Sequence, residues 1–144
     1  MTQERDILDA IQLVVRELRR QFDADAQRTG LTLSRSKLLR TLARMEGATQ
    51  AQLAQELEIE APSAKRLIDA LERDGFVERR GLEGDARKRA LFLTERARHE
   101  RVEGFAAKIR QEALKGLTPE DLTQARDVLD RISCNLTEIR GDDR

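Results

Sequence analysis

Basic side chains are concentrated in two short segments of this 144-residue chain. Residues 34–46 hold four basic residues and one acidic residue, and residues 79–89 hold five basic and two acidic residues, a local charge of +3 in each. Residues 111–144 hold five basic and eight acidic residues, a charge of −3. Because the 27 basic and 27 acidic residues of the chain cancel, any contact with a polyanion must be local. Most segments of this kind in proteins are simply exposed to solvent and bind no partner.

The sequence offers little for catalysis. The segment Ser34-Arg35-Ser36-Lys37 fits a Ser-x-x-Lys string, but serine β-lactamase chemistry needs companion motifs and a larger fold. The sequence contains no phosphate-binding Gly-Lys-Ser/Thr loop, no nucleophile elbow and no His-Glu-x-x-His motif. We therefore expect a protein that is not an enzyme and needs no cofactor.

The composition favours a helical protein. Charged residues make up 38% of the chain and aromatic residues 3%, with no Trp or Tyr. No apolar run is long enough for a membrane span, and the N-terminus lacks a secretory signal pattern. A single cysteine cannot form an internal disulfide. We expect a cytoplasmic protein with no membrane association.

Apolar periodicity predicts four helices in the first half of the chain. The first runs from about Ile7 to Gln27, the second follows Ser34, the third is short and the fourth runs from Ala61 to about Gly75. The apolar face of the first is formed by Ile7, Ile11, Val14, Leu18 and Phe22. The third begins at Thr49-Gln50-Ala51-Gln52, a capping box that satisfies the free amides of a helix start.

A change of period after Gly75 predicts a β-hairpin. Residues 76–80 and 90–93 are β-compatible, and residues 81–89 form a glycine-containing basic connector, expected to be a long charged tip. Helix resumes at Thr94. The last helix begins at Thr118-Pro119 and carries a heptad seam, which favours a subunit interface over packing within one chain. The seam consists of Leu122, Ala125, Leu129, Ile132, Leu136 and Ile139.

The order of elements predicts a mainly α fold with a small β-hairpin wing, a winged helix-turn-helix. We expect this DNA-binding part at residues 34–93, with the helix-turn-helix at about 49–74 and the wing at about 76–93. Dimerisation helices are expected at 1–30 and 94–144, all within one domain of residues 1–144. The expected dimer contacts are Ile7, Ile11, Leu122, Leu129, Ile132 and Leu136.

A winged helix-turn-helix places its second helix in the major groove of DNA. Arg66 can pair with guanine there, whereas Ser63 and Lys65 can equally hold phosphates and fix register. A basic wing is suited to the minor groove, with Asp85 orienting the wing rather than touching DNA. The expected DNA-binding residues are Ser36, Thr49, Gln50, Ser63, Lys65, Arg66, Asp85, Arg87, Lys88 and Arg89.

The combined pattern resembles the MarR/SlyA family of bacterial regulators over nearly the whole chain. The segments that carry the resemblance are Leu53-Ala54 through Ile59, Pro62 to Ile68, Leu71 to Val77, the wing segment Asp85-Ala86-Arg87 and the strand Leu91-Phe92-Leu93-Thr94. The resemblance implies an obligate homodimer, with Arg66 in the recognition helix, Arg87 as the wing arginine of the minor groove and Asp85 as its partner. One departure is Glu95-Arg96-Ala97, where the family often has Glu-x-Gly.

The resemblance also implies a transcriptional regulator, and we expect a ligand-responsive repressor that binds an inverted-repeat operator as a homodimer. Its partners are then double-stranded DNA, a second copy of the chain and a small anionic or aromatic effector. Three arginines on the first helix are available to pair with an acidic effector: Arg16, Arg19 and Arg20. The simpler interpretation is that they form a face exposed to solvent. The aromatic rings available for stacking are Phe22, Phe76, Phe92 and Phe105.

Three alternatives remain open from the sequence. A redox-responsive regulator would use Cys134, but a reactive thiol needs an electropositive and accessible setting. A metal-responsive regulator would use Glu95, His99 and Glu103, which share a helix face, but we expect no metal site because zinc wants about four ligands. An interaction adaptor would use the winged module for protein contacts.

Overall fold

The computed structural model describes residues 3–82 and 85–142, and these residues form helices and one antiparallel hairpin. The helices and strands in chain order are α1 Gln3–Thr29, α2 Leu33–Arg44, α3 Gln50–Leu57, α4 Ala61–Arg73, β1 Val77–Leu82, β2 Asp85–Leu93, α5 Glu95–Glu103, α6 Phe105–Ala113 and α7 Pro119–Asp142. The chain divides into two compact units, with the boundary between Ile109 and Arg110. The mainly α fold class with a β-hairpin wing is confirmed.

The core of the first unit lies where α2, α3, α4 and the hairpin meet. Each of these helices contributes the apolar face that its sequence period predicts. The fully buried large side chains are Phe76, Leu38, Leu39, Leu42, Leu53, Ile68, Leu71 and Leu91. Burying each such side chain contributes roughly 1.5–3 kcal/mol, so this core fixes how α4 and the hairpin are presented.

Gly75 ends α4 and turns the chain into the hairpin. Its φ is +81°, a left-handed conformation that glycine adopts without strain. The Gly75 amide donates to the Glu72 carbonyl oxygen at 3.1 Å, and the Phe76 amide donates to the Leu71 carbonyl oxygen at 2.8 Å. These two bonds form a Schellman motif. The motif directs Phe76 into the core, and β1 begins at the next residue.

The hairpin is longer than the sequence predicts. We expected strands at 76–80 and 90–93 with a tip at 81–89, whereas β1 extends to Leu82 and β2 starts at Asp85. Val77 is opposite Leu93 and Gly81 is opposite Arg89, with an irregularity between Gly81 and Leu82. The prediction of a long tip was wrong because strand pairing is made by backbone groups. Charged side chains on both faces therefore do not interrupt it.

The connector between α2 and α3 is joined to the wing. The Gly47 amide donates to the Leu91 carbonyl oxygen at 2.8 Å, and the Leu91 amide donates to the Ala48 carbonyl oxygen at 2.9 Å. The Leu93 amide donates to Glu46 Oε1 at 2.8 Å. The helix-turn-helix and β2 are thus held together by hydrogen bonds as well as by the core.

Helix α1 extends beyond its predicted range of Ile7 to Gln27, and its apolar face is only partly covered within the chain. Phe22 is buried and packs edge-to-face on Phe105 of α6, with ring centroids 5.4 Å apart. Ile11 is half-buried, whereas Ile7 and Val14 are exposed. The N-terminal half of α1 therefore presents apolar side chains to solvent.

The second unit is dominated by α7, which begins as predicted. Thr118 Oγ1 accepts from the Asp121 amide at 3.1 Å, and Asp121 Oδ2 accepts from the Thr118 amide at 3.0 Å, a reciprocal cap. The large seam residues are exposed or, for Ile132, half-buried: Leu122, Leu129, Ile132, Leu136 and Ile139. Within the described residues, no helix has the length and apolar content that crossing a bilayer requires.

Candidate nucleic-acid interface

The N-terminal half of α4 presents polar and basic side chains opposite its core face. Lys65 and Arg66 are exposed and Ser63 is half-buried, while Ala64 and Ile68 are buried. Pro62 in the first turn needs no amide partner there, so the helix begins without an unsatisfied donor at that position. The structure thus brings three predicted DNA-binding residues onto one accessible helix end.

Two of these side chains are held by neighbours one turn away. Arg66 Nη2 donates to Ser63 Oγ at 3.3 Å. Lys65 Nζ donates to Asp69 Oδ2 at 2.7 Å, an i,i+4 ion pair that partly neutralises the lysine. Arg66 therefore has more of its charge available to an external acceptor than Lys65 has.

Arg79 of β1 ties the wing to both helices of the helix-turn-helix. Its Nη2 donates to Asp69 Oδ1 at 2.7 Å and to Gln50 Oε1 at 3.3 Å, and its Nη1 donates to Glu72 Oε1 at 2.8 Å. Only 19% of the Arg79 side chain is exposed. A planar guanidinium can satisfy several acceptors at fixed angles, so Arg79 fixes the orientation of α4 relative to β1 and to the start of α3.

The Asp69 carboxylate joins this network to Lys65. Hydrogen bonds from Lys65 and then from Arg79 hold the pKa of Asp69 below its usual range. A carboxylate with a lowered pKa stays ionised at neutral pH, and its stabilising contribution is lost only as the pH falls through that lowered value. The network is therefore intact throughout the neutral range.

A cleft of about 590 Å³ lies between the start of α3 and the wing. It is lined by Thr49, Gln50, Ala51, Gln52, Arg79, Arg89 and Leu91. Arg89 is exposed, and the positive end of the α3 dipole opens here. Thr49, Gln50 and Arg89, all predicted DNA-binding residues, are thus brought together in a place suited to a phosphate.

Thr49 also has a structural task, since it forms the predicted capping box. Its Oγ1 accepts from the Gln52 amide at 3.2 Å, and its own amide donates to Gln52 Oε1 at 2.8 Å. We expect Thr49→Ala to lower the free energy of unfolding by about 1 kcal/mol, because the Gln52 amide loses its acceptor. Thr49→Ser keeps the hydroxyl and should remain near wild type in denaturant titrations. Equal stability of the two variants would contradict the role.

The remaining predicted DNA-binding residues are less closely defined. The side chains of Asp85, Arg87 and Lys88 lie outside the described residues, although their backbone belongs to β2 rather than to a tip. Their roles therefore remain predictions. Ser36 is half-buried in the first turn of α2, and no hydrogen bond or ion pair joins its side chain to α4 among the described residues.

The metal site considered from the sequence gains no support from the geometry. His99 Nδ1 lies 3.5 Å from Glu103 Oε2, both exposed, and no cluster of three metal-ligating side chains occurs among the described residues. Cys134 is exposed on α7. Phe76 is buried in the core, and Phe92 is half-buried with the Arg80 guanidinium 4.2 Å from the centre of its ring.

Sequence reasoning overlooked the residues that position the interface. Asp69 and Glu72 are spaced three apart on the polar side of α4, which is the only local signal for a shared cation. The Glu46 carboxylate accepts from the Leu93 amide, 47 residues away in sequence, and also contacts Arg98 at 3.3 Å. No local pattern could have indicated that pairing.

Two helices that are joined by a short turn and packed on an antiparallel hairpin define a winged helix-turn-helix. The model of the MarR family matches residues 29–88. The solved structure of the transcriptional regulator PA3341 is 31% identical with a TM-score of 0.70, covering 92% of this chain and 98% of that one. This chain belongs to the MarR family, whose members are transcription regulators and not enzymes.

Two further structures extend the comparison. The transcriptional regulator SlyA is 25% identical with a TM-score of 0.74, covering 92% of this chain and 95% of that one. FabT from Streptococcus pneumoniae, solved in complex with DNA, is 18% identical with a TM-score of 0.73, covering 95% of this chain and 99% of that one. At that identity, FabT supports the fold alone.

The departure at Glu95-Arg96-Ala97 concerns a helix start, as expected. Thr94 caps α5 by accepting from the Ala97 amide at 3.2 Å, and Ala97 is fully buried in the core. Arg96 lies over the Phe76 ring at 4.4 Å. The alanine methyl fills core space at this position, and the exposed polar face of α4 is not involved.

Proposed function

We propose that this protein is a sequence-specific regulator that binds double-stranded DNA and acts as a repressor in the cytoplasm. The observation that carries the proposal is the exposed start of α4, with Arg66 accessible and the helix locked to the wing through Arg79. A helix presented in this way fits the major groove, which is about 12 Å wide. The family membership supports the same interpretation, and FabT, which shares the fold, was solved in complex with DNA.

We propose further that the protein acts as a homodimer on an inverted repeat. Large apolar side chains are exposed on α1 in the first unit and on α7 in the second, and the exposed fraction of Leu129 is 45%. A heptad seam in water is stable when a second helix covers it. Two copies related by a twofold axis present two recognition helices, which requires half-sites about one helical turn apart, roughly 34–36 Å.

A small anionic or aromatic effector is proposed to regulate this binding. The expected arginines Arg16, Arg19 and Arg20 are exposed on α1, and Arg20 contacts Glu17 at 2.9 Å. An effector changes DNA affinity only by its differential affinity for the bound and free conformations. Titration of operator binding with salicylate-like acids tests this part, and an unchanged affinity would remove it.

Selection from random duplex DNA tests the main proposal. The bound fraction is sequenced over several rounds, and affinity for the enriched duplex is then measured by fluorescence anisotropy at several salt concentrations. We expect an inverted repeat and, for about ten phosphate contacts, a slope of log affinity against log salt near −9. No enrichment at low salt would overturn the proposal and favour the interaction adaptor.

Arg66→Ala is expected to weaken specific binding by about 1–3 kcal/mol and to relax the preference at one base pair in each half-site. The matched control is Arg73→Ala in the last turn of the same helix, where the guanidinium pairs with Asp74 at 3.2 Å. Both variants lose one positive charge from α4. A uniform loss for all sequences in Arg66→Ala would instead assign Arg66 to a phosphate.

A further inference from the structure

Glu60, the residue immediately before α4, carries a carboxylate that makes no hydrogen bond or ion pair among the described residues. It is the N-cap of α4 in an extended conformation, and its side chain makes no capping hydrogen bond. It is exposed, and no ion pair of Glu60 is found within the part of the chain that the structure describes. By contrast, the N-caps of α2, α3 and α5 all use their side chains to accept a backbone amide.

The position of Glu60 places it at the leading end of the interface. Glu60 comes immediately before Ala61, the first residue of α4, and Arg66 lies within the first two turns of the helix. The N-terminal residues of a recognition helix are those that contact base edges in the major groove. The Glu60 carboxylate therefore lies at the end of α4 that meets the base edges, ahead of Arg66.

A carboxylate at a DNA interface has few favourable partners. Phosphates repel it, and within the major groove the only donors are the amino groups of cytosine N4 and adenine N6. The adenine amino group lies between two acceptors, adenine N7 and thymine O4, whereas the cytosine amino group has an acceptor on one side only. Cytosine is consequently the base that a glutamate accommodates best.

We propose that Glu60 determines specificity by accepting a hydrogen bond from the N4 amino group of a cytosine in each half-site, beside the guanine proposed for Arg66. This inference rests on the proposed DNA-binding function. Glu60 then acts mainly by discrimination, because its charge opposes binding to any sequence that lacks the cytosine. Replacing the carboxylate with an amide changes the preferred base, since glutamine pairs with adenine N6 and N7.

The test is selection from random duplexes by the full-length wild type, Glu60→Gln and Glu58→Gln in parallel. Glu58, the C-cap of α3, is also exposed and supplies a matched charge control. We expect wild type and Glu58→Gln to enrich the same half-site with a fixed cytosine. For Glu60→Gln, the preference for cytosine over adenine at that position should fall by roughly tenfold or reverse, and affinity for unrelated duplexes should rise.

The outcomes separate this inference from the function on which it rests. If Glu60→Gln enriches the wild-type half-site with an unchanged cytosine, or if the wild-type half-site has no fixed cytosine, the role of Glu60 is overturned while DNA binding stands. If none of the three proteins enriches any repeat, the proposed function fails and the role of Glu60 fails with it. Unchanged thermal unfolding of Glu60→Gln shows that the altered preference comes from the interface.

Discussion

Replacing Leu129 with glutamate is expected to convert the proposed dimer into folded monomers and to weaken operator binding by about two to four orders of magnitude. Leu129 lies in the middle of the α7 seam, and its side chain is exposed in the single chain. Burying two symmetry-related carboxylates against apolar side chains is costly, because neither has a compensating partner. The affinity for the operator falls because a dimer binds both half-sites in one event, whereas two monomers must bind them independently.

Analytical ultracentrifugation measures the mass, and anisotropy measures binding to a full operator and to a single half-site. Gln124→Glu is the matched control, since it adds a carboxylate to α7 away from the seam and keeps good helix propensity. Leu129→Glu should bind the half-site as wild type does, because the first unit retains its own core. A Leu129→Glu protein that stays dimeric at micromolar concentration would show that α7 does not form the interface.

Arg79→Met is the second change with a large expected effect. It should lower the free energy of unfolding by about 1–2 kcal/mol, because three acceptors lose their donor while remaining partly solvated. Specific DNA affinity should fall at least about tenfold, since a misplaced α4 loses the base contacts proposed for it. Methionine keeps the apolar stem of the side chain, so the effect isolates the guanidinium.

The neighbouring Arg80 provides the control for this experiment. It is exposed, its guanidinium stacks on Phe92, and it lies on the opposite face of β1. Arg80→Met removes the same charge from the same strand and should leave thermal unfolding nearly unchanged. If Arg79→Met keeps its stability but reduces the salt slope by about one, then Arg79 itself contacts a phosphate, and the positioning role is wrong.

Local signals in the sequence predicted the helices of the first unit well. Thr49 with Gln52 formed the expected capping box, and Gly75 ended α4 as expected. Such features succeed because a cap or a left-handed glycine depends on residues within one turn of it. The hairpin tip was predicted wrongly, because the ends of a strand pair depend on backbone pairing across the turn and not on the charges of its side chains.

The candidate DNA interface was likewise predictable from the sequence only in part. Residue types and their place in the N-terminal part of the helix singled out Ser63, Lys65 and Arg66 from the sequence. In the structure, Lys65 and Arg66 are exposed and Ser63 is half-buried. In the sequence, Arg79 counts only as one of five basic residues in segment 79–89. The tertiary structure shows that its guanidinium donates hydrogen bonds to Asp69, Glu72 and Gln50. Such partners lie up to 29 residues away. Periodicity reports which face is buried, whereas ion pairs between elements depend on how the packed core brings distant surfaces together.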